Sequence, residues 1–434
     1  MQFQKWAIGF LMVYFMKKGI ENFKKIFDSL GSKIGLDLSY LIKNGNWVSL
    51  RFFILGFSGL LLSSFFAKFG SKELLGQYQL VLSTISIVSV CSFLGLNAAA
   101  LEAVVHGREA GVLRSSKLIF LFSLVGIPIL IGVGLFYSTF RHEILFGETL
   151  MFTGLLFPFF YALSAWNVYY EGKLLFKESS LRTILLNVVL TIFLIVGIFL
   201  KLNVLGLIAI FLLTTIFFQS VFFLDIFRKI QDRTNNFIDT RFGLTVSLQK
   251  FVSGLSSTLP AFIISFFFGV ELLAVYFIAY YIISALSSFL SNLIGLYMPI
   301  LFKVVKLDHK NIVINNFFAG LATWAAFIVF LKFFFIWIYG GGYHDSLELA
   351  YVISFLLFFI PLHTYLVGFF STRRKNGLLI SVFCFANIAG LLTIYFMKQY
   401  GFLWSVATYL YILEIVTTLP LLGYYFYSVR KGLL

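Results

Sequence analysis

Apolar residues run along this chain in stretches of twenty or so, broken by short polar connections that hold most of its lysines and arginines. Twelve runs lie near 47–69, 76–100, 117–140, 149–170, 181–200, 204–227, 244–269, 272–302, 313–338, 347–370, 377–397 and 402–428. A helix needs about 20 mostly apolar residues to cross a bilayer, so each run is predicted to be a transmembrane helix. Spread over 434 residues, twelve spans leave no room for a sizeable soluble domain. The expected fold class is an all-α integral membrane protein.

Composition agrees. Sixty per cent of residues are hydrophobic and only 12% are charged, against about a quarter charged in soluble domains, and the mean hydropathy is +0.96. Lysine and arginine number 33 against 18 acidic residues, a balance that could suggest nucleic acid. Their placement argues otherwise. The N-terminal tail, the even-to-odd connections and the C-terminus hold about 26 of them. The opposite connections hold about six: Lys68, Lys72, Arg141, Lys201, Lys332 and Lys398. Short basic loops stay on the cytoplasmic side, which predicts a multi-pass protein with both termini in the cytoplasm. Pyrophosphate groups and anionic membrane lipids are the partners that such cations suit.

Several chemistries drop out. Cys91 and Cys384 both sit in apolar runs, so no disulfide framework or cysteine-rich metal site is expected. The five histidines lack ligand spacing, and no metal or cofactor is expected. The "GGGY" segment, Gly340–Tyr343, precedes no Lys-Ser/Thr and is read as a loop. The early stretch "WAIGFLMVYFM" has no small-residue cleavage site and is followed by "KKG". It is read as an interfacial segment, or as lying ahead of a start at Met16, where a lysine-rich amphipathic tail begins.

An internal echo divides the chain. "FGSKELLGQYQLV" in the first half answers "FGVELLAVYFIA" in the second, with Glu73-Leu74-Leu75-x-x-Tyr78 matching Glu271-Leu272-Leu273-x-x-Tyr276. Carried upstream, the alignment sets Arg51 opposite Lys250. A second echo places Asn187 before "KLNVLGLIAIF" and Asn387 before "KQYGFLWSVATYL". The predicted organisation is a cytoplasmic tail over 1–46, a six-helix lobe over 47–228, an inter-lobe loop over 229–243, and a second six-helix lobe with a short cytoplasmic C-terminus over 244–434. Two parallel lobes related by pseudo-two-fold symmetry around a central cavity are a transporter architecture.

The opening of the first lobe, "SLRFFILGFSGLLLSSFFAKFGSKELLGQYQLVLSTISIVSVCSFLGLNAAALEAVV", resembles the polysaccharide-biosynthesis transporters, the O-antigen flippases of the multidrug/oligosaccharidyl-lipid/polysaccharide exporter superfamily. The resemblance lies in the "FG…E.LGQY" link, the "LGLNAA" segment and the asparagine echoes. It implies a flippase that moves undecaprenyl-pyrophosphate-linked oligosaccharide across the bacterial inner membrane, serves lipopolysaccharide or related polysaccharide assembly, and works beside other polysaccharide-assembly proteins.

The candidate residues follow from cost. Arginine in hydrocarbon costs roughly 2.5–3.5 kcal/mol or more and usually has a partner. Arg51 and Lys250 are expected either to face one another across the cavity and hold pyrophosphate, for which a guanidinium fork is suited, or to snorkel to headgroups from helix ends. Lys332, near the end of the ninth run, is a weaker candidate for lining the cleft. Asn187 and Asn387 are candidates for sugar contact, against a role as interhelical glue. Glu414, deep in the twelfth run, is a candidate for coupling to H+ or Na+, against a neutral acid bonded to a neighbouring helix. No catalytic residue is expected, and the chain is read as a transporter. An oligosaccharide polymerase or ligase would need a larger outer loop than "IYGGGYHDSLE". A multidrug exporter of the same superfamily is the alternative, although its cavity would more naturally be acidic.

Overall fold

The protein is described by a computed structural model over residues 38–231, 234–295, 309–373 and 375–431. Met16 and most of the tail expected over 1–46 lie outside the described residues. The described chain is helical, without strands, and twelve membrane helices emerge at the positions of the twelve apolar runs. The first lobe comprises α1 (Leu38–Phe69), α2, α3 (Gly111–Phe140), α4 (Ile144–Gly172), α5 (Phe176–Phe199) and α6 (Val204–Lys229). The second comprises α7 (Thr240–Phe268), α8 (Val270–Gly295), α9 (His309–Tyr339), α10, α11 (Asn376–Met397) and α12 (Phe402–Arg430).

Two of the twelve are broken. The first part of α2 spans Lys72–Val88; after a short tight turn, with Phe93 at φ 48°, it resumes as Leu96–Val105. In α10, the segments Gly341–Ile353 and Leu356–Phe370 meet at 54°. Eleven helices are long and apolar enough to cross a membrane, and the bent α10 pair makes twelve.

Local chemistry sets the starts. Ser71, Asn203 and Asp239 have extended backbone and accept from the amides of Leu74, Gly206 and Phe242, capping α2, α6 and α7. Large apolar side chains face outward in number: Phe53, Phe140, Phe266, Phe333 and Trp337 are each more than 60% exposed. Water would penalise such a surface, whereas lipid does not. Other phenylalanines pack inside, among them Phe66, Phe146, Phe157 and Phe327.

Successive spans put the α1–α2, α3–α4, α5–α6, α7–α8, α9–α10 and α11–α12 connections at one end, here the distal end. The other is the basic end. At the distal end the lobes meet tightly. Ser64 Oγ donates to the Ile338 carbonyl at 2.7 Å, Lys68 Nζ to the Trp337 carbonyl at 3.1 Å, and the Ser63 and Tyr339 hydroxyls are 3.1 Å apart. Beside them α2 crosses α8 so closely that a Cβ on Gly76 would collide with the Val270 carbonyl. The repeated sequence segments therefore pack against each other across the lobe boundary.

Candidate functional site

Helix α7 carries two polar faces. On one, Lys250, Gly254 and Thr258 recur every fourth residue and line a cavity of about 200 Å³ between the lobes. Its opposite wall is α2 of the first lobe, with Ser86 and Ser89. Nothing lies within 4 Å of where a Cβ on Gly254 would point, so that glycine keeps the space open. Lys250 forms no ion pair among the described residues. The cavity thus combines one free ammonium with several hydroxyls, which suits a polar or anionic group rather than a cation.

The other face of α7, with Ser253, Ser256 and Ser257, lines a second cavity of about 320 Å³ inside the second lobe. Glu414 of α12 reaches it, 3.3 Å from His363 Nδ1 of α10 and accepting from Thr418 Oγ1 at 3.0 Å. The His363 nitrogen also lies 3.1 Å from Thr418 Oγ1 and 3.3 Å from Thr417 Oγ1. An acid and an imidazole this close, among hydroxyls, can share and exchange a proton.

Arg51 stands elsewhere. Its guanidinium donates to Glu171 Oε1 of α4 at 3.2 Å and to Ser179 Oγ of α5 at 3.3 Å. Asn167 closes the ring: its amide donates to Glu171 at 2.8 Å and its carbonyl accepts from Ser179 at 2.5 Å. All four residues belong to the first lobe. Arg51 and Lys250 do occupy equivalent places, each eighteen residues before the end of its helix. They do not face one another, because Arg51 is turned into its own lobe by a carboxylate.

The remaining candidates divide in the same way. Asn387 is buried and fully engaged: it accepts from Ser256 Oγ at 3.1 Å and donates to the Phe383 and Val252 carbonyls at 2.9 and 3.3 Å, joining α11 to α7. Asn187 keeps a buried Oδ1 with no partner among the described residues. Lys332 is exposed and lies over the Phe333 ring at 5.8 Å, outside both cavities.

No protein-family model matches the sequence, and no curated protein matches it. Solved structures do. An inward-facing multidrug resistance MATE family transporter of the MOP superfamily superposes with a TM-score of 0.60 at 14% identity, over 87% of this chain and 94% of that one. An outward-facing transporter of the same description gives 0.55 at 15%, over 90% and 96%. A MATE in the bent conformation gives 0.58 at 14%, over 91% and 95%. The chain has the MATE transporter fold.

Within that MATE fold, sequence reasoning missed three groups. Glu171 lies four residues after Asn167 on the last turns of α4, and the cost of Arg51 was the signal that a carboxylate had to be near. His363, a lone histidine in the apolar stretch "PLHTYL", was a signal of the same kind for Glu414. Asp225 gathers Arg182 at 2.8 Å, Lys229 at 3.0 Å and the Tyr170 hydroxyl at 2.5 Å. It ties α4, α5 and α6 together at the basic end.

Proposed function

We propose that this multi-pass membrane protein is an alternating-access exporter, not an enzyme, whose cargo presents an anionic head to the inter-lobe cavity while its apolar tail stays in lipid. The observation that carries this reading is Lys250, unpaired on a hydroxyl-lined wall where the two lobes face each other. A water-accessible cleft shelters a head too polar for hydrocarbon, and rocking of the lobes carries it across. A pyrophosphate-linked oligosaccharide is the cargo suggested by the sequence resemblance, and its phosphates would bind the Lys250 ammonium with charge-assisted hydrogen bonds. The bacterial inner membrane, with the basic end in the cytoplasm, is the corresponding setting. Glu414 with His363 is the proposed site of ion coupling.

A multidrug exporter is the second reading. It is favoured by the solved transporters that share the fold, described as multidrug resistance proteins, and by an acidic chamber at Glu414 that suits cationic compounds.

One comparison separates them. The leaflet position of lipid-linked oligosaccharide is measured with a sugar-binding probe on spheroplasts, with the protein, without it and with Lys250→Ala. Under the flippase reading the oligosaccharide stays inside without the protein and with Lys250→Ala, while Lys250→Arg restores export. Normal outer-leaflet oligosaccharide without the protein, together with loss of resistance to cationic drugs, would establish the second reading and end the first.

A further inference from the structure

On the flank of the first lobe, α3 has an open recess on each side. One, of about 510 Å³, runs past Arg114, Lys117 and Leu121 to Asn236 of the inter-lobe segment. The other, of about 370 Å³, lies between α3, α4 and α6 and is walled by Phe120, Phe159, Phe223 and Phe227. Leu113 and Lys117 belong to both. Lys117 therefore stands astride two apolar troughs, with Arg114 three residues away on the neighbouring ridge of the helix. Arg114 donates to the Asn236 side-chain Oδ1 at 3.4 Å, so the amide group of Asn236 belongs to the same polar cluster as Arg114.

Several cations of this end of the lobe are neutralised, Arg51 by Glu171, Lys173 by Glu109, and Arg182 and Lys229 by Asp225, while Arg108 and Lys177 lie over the Phe237 and Trp47 rings. Arg114 and Lys117 form no ion pair among the described residues, and both are exposed. Arg114 sits in the first turn of α3, which starts at Gly111, where the helix dipole adds a further preference for an anion, and Lys117 lies one turn further on. Below them Leu121 and Phe159 are 49% and 47% exposed, a surface for acyl chains. Basic pockets between membrane helices above apolar troughs recognise anionic lipid headgroups.

We propose that this flank binds an anionic phospholipid of the bilayer. Its phosphate is held by Lys117, Arg114 and the Asn236 amide, and its acyl chains lie in the troughs on either side of α3. The site is separate from both cavities, and the proposal holds whichever cargo the transporter carries.

Native mass spectrometry of the detergent-solubilised chain tests it without any transport assay. The probes are phosphatidylglycerol and phosphatidylcholine of matched long chains, short-chain phosphatidylglycerol, inorganic phosphate and undecaprenyl phosphate. Phosphatidylglycerol should bind in preference to phosphatidylcholine. The double variant Arg114→Gln/Lys117→Gln should bind phosphatidylglycerol about 30-fold more weakly, with phosphatidylcholine adducts unchanged, and Arg114→Lys/Lys117→Arg should retain most of the binding. Equal retention of both lipids by parent and double variant would reduce the flank to ordinary annular contact. Displacement by phosphate, or equal binding of the short-chain lipid, would make it an anion site without troughs. Preferential capture of undecaprenyl phosphate would assign it to a polyprenyl tail. Each of these outcomes overturns the proposal.

Discussion

A charged side chain inside a membrane protein is explained by its partner, and Arg51 shows how much that changes the reading. Only 14% of its side chain is exposed, and its charge is met by Glu171 within one lobe. Truncating Glu171 would leave a largely buried guanidinium with the Ser179 hydroxyl as its remaining side-chain hydrogen-bond partner. Glu171→Ala is expected to lower stability by about 2–3 kcal/mol, read as a lower thermal midpoint in detergent, with the Arg51→Ala/Glu171→Ala pair less affected than the sum of the single changes. Additive losses would show that the two side chains act independently. Arg51 is thereby proposed as a structural tie, and Lys250, its symmetric counterpart, as the cargo cation. Glu414→Gln removes the carboxyl while keeping its volume and, if the proposed ion coupling runs through this residue, is expected to flatten the dependence of transport on pH. An unchanged profile would remove Glu414 from coupling.

Among elements, the twelve apolar runs predicted helix positions to within a few residues over most of the chain, because a bilayer imposes length and apolarity directly on sequence. What the runs could not convey is rotation about each helix axis. Whether Arg51 faces the cleft or Glu171, and whether Lys332 faces the cleft or lipid, depends on packing angles that leave no period in a sequence apolar on all sides. The break in α2 and the bend in α10 were hidden for a related reason, since both halves of each remain apolar. Helix α1 adds a division of its own. Its basic half is fastened to the first lobe through Arg51, while its distal half is bonded to α9 of the second through Ser64 and Lys68. Between them, Tyr281 of α8 donates to the Gly56 carbonyl at 3.3 Å. Gly56 has no neighbour within 4 Å of a Cβ, so Gly56→Ala fits and favours helix by up to about 1 kcal/mol. The expected outcome is a thermal midpoint equal to or above the parent's with slower transport, since under the proposed mechanism α1, bonded to both lobes, would have to flex as they rock. Unaltered transport would show that α1 does not flex there. Gly254→Leu fills the inter-lobe cavity and is expected to abolish transport of a bulky head while the protein still inserts, as scored by export alongside membrane abundance.

Across the whole molecule, the lobes meet at the distal end, where Ser63, Ser64, Lys68 and Gly76 contact the second lobe, and again toward the basic end, where the Gly95 amide donates to Ser247 Oγ at 2.9 Å and a Cβ on Gly95 would collide with the α7 backbone. The proposed alternating access requires the distal contacts to part in the opposite state. A Ser64→Cys/Ile338→Cys pair bridged by a short thiol cross-linker is expected to arrest transport, and a reducible linker should allow recovery when it is cleaved. Transport that continues with the bridge in place would locate the moving boundary elsewhere.

Helix α7 is the partition between the inter-lobe cavity and the Glu414 chamber, and both rooms share that one wall. A partition cannot be moved for one tenant alone. If the proposed cycle turns it to widen the space around Lys250, Ser253, Ser256 and Ser257 shift relative to Glu414 and His363, and an ion taken up at that pair would press back on the wall from the other side. Two sites with no residue in common would in this way keep time with each other.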